Sequence, residues 1–567
     1  VDTPSGALAR VWRSAWTAAL LFLGLALAVT WPLARGLGRD IPSDYGDPLY
    51  VAWAMAWVMR QTGRALTGHA DAVTGFWDAN QIHPERGALA FSDHFVAQAL
   101  PWAPVYWATG NAALVLGLAY IAAFALCGFC TWLLIREVTG SSAAGVLAGV
   151  SFAFNEFFML YELPHLQVLS AQWMPLTIYG LRRYFVHGSR AALLIASGSL
   201  VLLNLSSGYY LLMFPPFVGL YALWEIASRR RWRDWPMWRD LAGAALATAI
   251  LTAPFVWPYV QAQQRFGFER PMGEIASMAA TLDGYAASFD RLRWAWLSAV
   301  IAIVSLAAGR WLRTSRAAVP LAGFALTGAL LACWLSLGPA PMWRGEPYPA
   351  LGLYGWLRDY VPGMNALRVA GRFATVFLLF LSLLAGLGAA VIARMSRAGG
   401  AVVLLLAGLT VANNRLVPFP LNRESPPEGL NRPAAYLTPG PTPPDVYRYL
   451  SSLPAGQVVA ELPFWELWHN TRYLYFSTFH WHRLLNGFTS FFPPGFLERV
   501  RWLADPVRTP DEAWQALASA GTTYVVVHRE AWDEVYARQV DAWLTARGAR
   551  SHGRFDGAEV YELPVSP

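Results

Sequence analysis

The sequence predicts a polytopic α-helical membrane protein of about eleven transmembrane helices, with a small α/β domain at its C-terminal end. Three observations predict it. Of 567 residues, 56% are hydrophobic and 14% charged, where a soluble chain carries about 25% charged residues. The mean hydropathy is +0.34, and the apolar residues gather in runs of the roughly 20-residue length that a bilayer requires. Arginines fall in short clusters between alternate runs, the pattern of cytoplasmic anchors.

By length and composition the spans are placed at 14–33, 112–135, 141–157, 166–185, 190–206, 209–227, 240–261, 293–309, 318–337, 373–393 and 399–417. No small-residue cleavage site follows the first run, so it is read as a retained helix rather than a signal peptide. With the N-terminus cytoplasmic, the inner connections hold Arg10 and Arg13, Arg136, Arg182, Arg183 and Arg190. The next ones hold Arg229, Arg230, Arg231, Arg233 and Arg239, then Arg310, Arg313 and Arg316, then Arg394 and Arg397. Each is short and basic, in accord with the positive-inside rule. The outer connections are long or acidic: 36–110, 161–164, 262–292 and 338–371.

An odd number of spans puts the tail outside the cytoplasm. Pro418, Pro420, Pro426, Pro427, Pro433, Pro439, Pro441, Pro443 and Pro444 mark 418–445 as a linker. Beyond it, 458–462, 522–527 and 560–563 read as strands, with helices at 510–520 and 531–547, so 446–567 is expected to be an extracytoplasmic α/β domain. Residues 1–417 form the expected transmembrane domain. No internal repeat of fixed period is visible, nor the inverted repeat of secondary transporters.

The net charge of +7 could suggest nucleic acid, but its distribution between apolar runs argues for a membrane and against a nucleic-acid partner. The chain contains no lysine. This excludes P-loop phosphate binding and Schiff-base chemistry, and leaves anions to arginine, histidine, a metal or backbone amides. Cys127, Cys130 and Cys333 lie in apolar runs, and Cys127-x-x-Cys130 reads as two small residues one helical turn apart.

The residues that carry chemistry converge on the outer face. Asp40-Ile41-Pro42-Ser43-Asp44-Tyr45-Gly46-Asp47-Pro48 follows the first span directly, and carboxylates beside a membrane call for a functional explanation. Pro48 suits the first turn of a helix over 48–60, which places Asp47 at its N-cap. Capping and catalysis are compatible, because a capping bond fixes the carboxylate; Asp44 has no such capping role on this reading. Within the same loop lie His83, Asp93 and His94. Asp44, Asp47, Asp93 and His94 could hold a divalent cation through oxygen and nitrogen ligands. Alternatively, Ser92 caps a helix over 93–107 and Asp93 merely favours its first turn.

Later loops add Glu162 and His165, Tyr209 and Tyr210, then Arg265, Glu269 and Glu274. His165, Tyr209 and Tyr210 read either as substrate contacts or as interfacial residues. Arg368 and Arg372 are four apart and are expected to share a helix face. Standing outside against the positive-inside trend, they are candidates for phosphate binding, with Arg265. In the tail, Trp465, Trp468, Trp481 and His480 could stack on sugar rings, though a folded core accounts for them equally.

Several strings together resemble a bacterial branch of the GT-C superfamily of membrane glycosyltransferases. They are Gly46-Asp47-Pro48-Leu49 with Trp53 and Trp57, Phe91-Ser92-Asp93-His94, His165-Leu166-Gln167 with Gln172-Trp173-Met174-Pro175-Leu176, and Leu367-Arg368-Val369 with Arg372-Phe373. The resemblance covers most of the membrane part and matches the tail only loosely. It implies an outer-loop carboxylate as catalytic base, Asp47 or Asp44 with Asp47 favoured, and a polyprenyl-phosphate sugar as donor. The acceptor would be a glycan, lipid or protein of the cell envelope, on the outer face of a bacterial cytoplasmic membrane. No Trp-Trp-Asp motif is evident, which speaks against an oligosaccharyltransferase. The rival readings are a transporter or lipid flippase, which needs ionisable groups along a path at mid-membrane depth, and a non-enzymatic envelope assembly protein.

Overall fold

The structure is a computed structural model. It describes residues 4–288, 291–307, 318–424 and 433–564, and side chains within these from residue 15 onward except 305–307, 318 and 319. The side chains of Arg10 and Arg13, and all of Arg310, Arg313, Arg316, Pro426 and Pro427, lie outside the described residues.

Over its described residues, each of the eleven apolar segments falls on a helix or a pair of helices; 308 and 309 lie outside the described residues. Among the described residues, five helices are long and apolar enough to cross a membrane: Ala112–Thr139, Ser142–Tyr161, Gly208–Ser228, Trp235–Phe266 and Ala370–Met395. Five more are apolar but shorter: Ala15–Val29, Arg190–Asn204, Arg293–Val304, Pro320–Ser336 and Gly399–Asn414. The segment expected at 166–185 is broken into Leu166–Leu169 and Trp173–His187. The second piece carries Arg182, buried and paired with Glu225 at 2.9 Å, which is why its composition is not that of an apolar span.

The chain divides into two compact units, and the division differs from the expected domains. A helical unit comprises 1–31, 120–255 and 268–419. Its centre is the buried helix Ala374–Met395, which packs against Arg293–Ala307, Ala318–Ser336, Ser142–Ala153 and Gly399–Asn414. Small residues permit this closeness: a Cβ on Gly388 would stand 1.7 Å from the Ser298 carbonyl oxygen. Cys127 and Cys130 are buried free thiols of this unit, and Cys127 donates to the Leu169 carbonyl.

The second unit comprises 32–119, 256–267 and 420–567, so the first outer loop belongs with the tail. Backbone pairing makes it so: Ile82 and His83 donate to the Asn486 and Leu484 carbonyls, and Ser43 and Tyr45 to those of Pro420 and Arg423. A five-stranded sheet forms the tail's core, in the order Arg483–Leu484, Val458–Leu462, Tyr524–His528, Ala558–Glu562, Arg550–Phe555. The first three strands are parallel and the last two antiparallel. Three of these strands lie within a residue or two of the segments expected, as does the helix Pro510–Ser519, while Glu534–Ala546 begins three residues later than expected. Val458–Leu462 and Tyr524–His528 are buried throughout, as strands covered on both faces must be.

Candidate functional site

The acidic motif is built on the helix Asp47–Leu66 of the second unit, nearly all apolar and buried on its first three turns. The helix starts one residue earlier than expected. Asp47 is its first residue, Gly46 occupies the N-cap, and no side chain caps it. Asp44 instead makes bonds within the loop: its Oδ1 accepts from the Gly46 amide at 2.8 Å and its Oδ2 from the Ser43 hydroxyl at 2.8 Å. Ser43 holds a left-handed φ of 65° to make that contact, the kind of local strain that collects at functional loops. Asp40 is tied to Arg39 and Asn422.

The tail clamps this motif. Thr471 donates its hydroxyl to the Tyr45 carbonyl at 2.8 Å, and the Arg472 guanidinium lies 5.0 Å from the Tyr45 ring centre. Trp468 sits against Gly46 so closely that a Cβ there would be 2.2 Å from Cζ3 of the indole. Glycine is required at this position by that approach.

One turn along the helix, Tyr50 is buried at 3% exposure. Burial foremost, and then the charges of Asp93 and Asp47, push its phenol up, so both carboxylates act on the same hydroxyl. Ser92 does not cap a helix over 93–107; that stretch is broken into Val96–Ala99, Leu100–Trp102 and Ala103–Thr109. Ser92 Oγ pairs with Ser490 Oγ, and its carbonyl accepts from Tyr259. The local cap is His94, whose Nδ1 accepts from the Val96 amide at 3.1 Å. Its ring is boxed by Trp77 and Tyr259, and burial pushes it down to about 4. His94 is therefore a neutral packing histidine at pH 7.

The expected cation site does not assemble: among the described residues no group of three or more His, Cys, Asp or Glu gathers as around a metal. Asp44 has both oxygens in local bonds and His94 is turned to its own helix start. His83 is separate as well; it is half-buried, and burial, then the charges of Arg483 and Arg499, push it down. Arg265 is held by Glu85 at 3.1 Å. In the tail, Trp481 lies beside Trp57 and under Arg60, and His480 stacks parallel to Tyr447. Both are packing residues.

The helical unit carries a second cluster. Glu162 and Arg372 form a buried pair, Nη2 to Oε2 3.0 Å with Nε also donating, and His165 Nδ1 is 2.9 Å from Oε2. The Arg372 guanidinium is 4.3 Å from the Tyr209 ring centre. Burial pushes the Glu162 carboxyl up, but Arg372 and then His165 overcome it and hold it at about 2. Arg368 and Arg372 do not share an α-helical face: the helix begins at Ala374, Arg372 sits in the 3-10 turn Ala370–Phe373, and Arg368 precedes it. The amides of Arg368 and Val369 both donate to the Tyr209 hydroxyl at 3.3 Å. Tyr210 is fully buried and donates to the Val168 carbonyl, so it anchors its helix rather than facing a ligand.

Sequence reasoning missed Arg270. It pairs with Glu274 at 3.3 Å, and Arg368 reaches the same carboxylate at 4.0 Å. Burial lowers Arg270, Glu274 opposes, and the like charge of Arg368 lowers it further. Two arginines sharing one carboxylate leave net positive charge, the arrangement that suits a phosphate. The signal in the sequence was its spacing of four from Glu274, next to the already noted Glu269.

Comparison with solved structures finds a similar fold. The cryo-EM structure of the arabinofuranosyltransferase AftD from mycobacteria matches 98% of this chain at 14% identity with a TM-score of 0.53. The chain spans 42% of that protein's length. ArnT from Cupriavidus metallidurans bound to undecaprenyl phosphate matches at 12% identity over 97% of this chain and 99% of that one, TM-score 0.49. The archaeal oligosaccharyltransferase AglB from Archaeoglobus fulgidus, in complex with an inhibitory peptide and a dolichol-phosphate, matches at 12% identity over 96% and 74%, TM-score 0.46. No family model and no curated protein matches the chain.

Proposed function

We propose that this chain is an integral membrane glycosyltransferase that moves a sugar from a polyprenyl-phosphate donor to a cell-envelope acceptor on the outer face of a bacterial cytoplasmic membrane. The observation that carries the reading is the acidic motif on a GT-C fold, with Asp44 spent on the loop's own bonds and Asp47 set at the head of a buried helix. In that unit, Asp47 is assigned as general base. It takes the acceptor hydroxyl proton as the oxygen bonds to the anomeric carbon and the bond from that carbon to the phosphate oxygen breaks. A positioned base contributes typically about 10²–10⁴-fold. Asp44 is a positioning residue.

In the helical unit, Arg368 with Arg270 is assigned to the phosphate of the lipid, where negative charge grows as the sugar leaves. Arg372, neutralised by Glu162, supports Tyr209 and through it the Arg368 amide. A lipid-linked donor accords with the absence of nucleotide sugars outside the cytoplasm.

The test is turnover of radiolabelled polyprenyl-phosphate sugars by purified protein in lipid. Asp47→Asn is expected to abolish transfer with folding preserved. Asp44→Asn is expected to lose less, because an amide oxygen can still accept from the Gly46 N–H. Equal activity of Asp47→Asn and wild type would remove the base assignment. Neither turnover nor donor binding in the wild type would favour the transporter or assembly reading.

A further inference from the structure

Building on the transferase reading, we propose that the acceptor is a glycan. One of its sugar rings lies on an aromatic shelf made by Trp465 and Phe492, with the Glu466 carboxylate accepting from the ring's hydroxyls.

The first argument is topological. Val458–Leu462 is flanked by Arg483–Leu484 on one side and Tyr524–His528 on the other, all parallel. The chain goes from the first strand to one neighbour and then crosses to the opposite flank. Such a reversal opens a crevice outside the carboxyl ends of the strands, where open α/β sheets bind their ligands. The loop leaving the carboxyl end of Val458–Leu462 is 463–466, which carries Trp465 and Glu466.

The second argument is continuity with the acidic motif. This loop runs directly into the helix Leu467–Ser477, whose Trp468 lies on Gly46 and whose Thr471 holds the Tyr45 carbonyl. The loop and the Asp44–Asp47 string are thus joined through Trp468 and Thr471.

The third is the chemistry of the shelf. Trp465 is 38% exposed, with the Phe492 ring 5.6 Å away at 66°. Phe492 is backed by the near-parallel Phe496 at 5.5 Å, and Phe496 by Phe464 at 5.9 Å. An exposed indole with a packed aromatic backing is a rigid apolar surface. A sugar ring offers a matching C–H face, with hydroxyls around its rim that need acceptors. Glu466 supplies one: its carboxyl is part-buried and makes no side-chain hydrogen bond among the described residues, and burial pushes its pKa up. Trp481, by contrast, is already spent on Trp57 and Arg60.

The experiment is saturation-transfer NMR on the full chain in lipid nanodiscs, with no donor present and a panel of neutral pentose and hexose tri- to hexasaccharides. Wild type is expected to saturate ring protons of at least one oligosaccharide. Trp465→Ala is expected to weaken that binding about tenfold, as loss of a central aromatic contact does. Trp465→Phe should retain most of it, and Glu466→Gln should weaken it severalfold. All variants are checked for unchanged size-exclusion profile and melting temperature. No binding by any oligosaccharide, or equal binding by Trp465→Ala, overturns the inference. Because binding is read without turnover, absent transfer with the Trp465-dependent binding intact would count against the transferase reading alone. Transfer to a non-sugar acceptor with no oligosaccharide bound would count against the shelf alone.

Discussion

Glu162→Gln removes the charge facing Arg372 while keeping the shape of the side chain. Arg372 is 4% exposed and Glu162 5%, so solvent does not screen the loss. The Glu162 carboxyl falls from its ordinary 4.5 to about 2 in the folded chain. That fall of about 2.5 corresponds to about 3 kcal/mol of stability at about 1.36 kcal/mol per pH unit. Since the folded pKa is depressed, the contribution is complete above about 4.5 and is lost as pH drops from there through about 2. At pH 7 the substitution therefore costs about 3 kcal/mol, in line with the 3–5 kcal/mol typical of leaving one buried ion without its partner. Replacing both residues, Glu162→Leu with Arg372→Met, removes the uncompensated charge and should restore most of the loss. The assay is thermal unfolding in nanodiscs at pH 7, with wild type and the double variant melting together and Glu162→Gln clearly below both. The reasoning is refuted if Glu162→Gln melts with the wild type, or if the double variant is no better than the single one.

Arg368→Ala is expected to weaken binding of a polyprenyl-phosphate donor at least about tenfold, as loss of a charge-assisted contact does. Arg265→Ala, whose guanidinium is engaged by Glu85, should leave donor binding near wild type; a titration of both variants with labelled donor decides this. His94 carries a pH dependence. Its folded pKa of about 4 lies below the ordinary 6.5 because of burial, so unfolding takes up a proton between these values. Its contribution to stability is whole above about 6.5 and is lost as pH falls through about 4, by about 3 kcal/mol. A melting-temperature series from pH 8 to pH 4 should fall steeply in wild type and less steeply in His94→Asn. Equal slopes would mean that His94 is charged in the folded chain.

The sequence by itself determined the features that depend on local pattern. Apolar runs of bilayer length became helices, the β-branched stretches of the tail became strands, and Pro48 opened a helix beside the acidic string. Length, periodicity and turn chemistry act over a few residues and can be read directly. Where side chains meet across hundreds of residues, only the tertiary structure decided. Thr471 on the Tyr45 carbonyl and His83 beside Arg483 join segments some 400 residues apart, and this pairing moved the first outer loop into one unit with the tail. Smaller shifts redistributed the roles. A helix beginning one residue early took Asp47 out of the N-cap position, and the carboxylate bond to the Gly46 amide fell to Asp44. A 3-10 turn in place of an α-helix separated Arg368 from Arg372, leaving one with Arg270 and burying the other on Glu162. A charge is cheap in the interior only against an opposite one, and which partner it finds depends on long-range packing that no local pattern encodes.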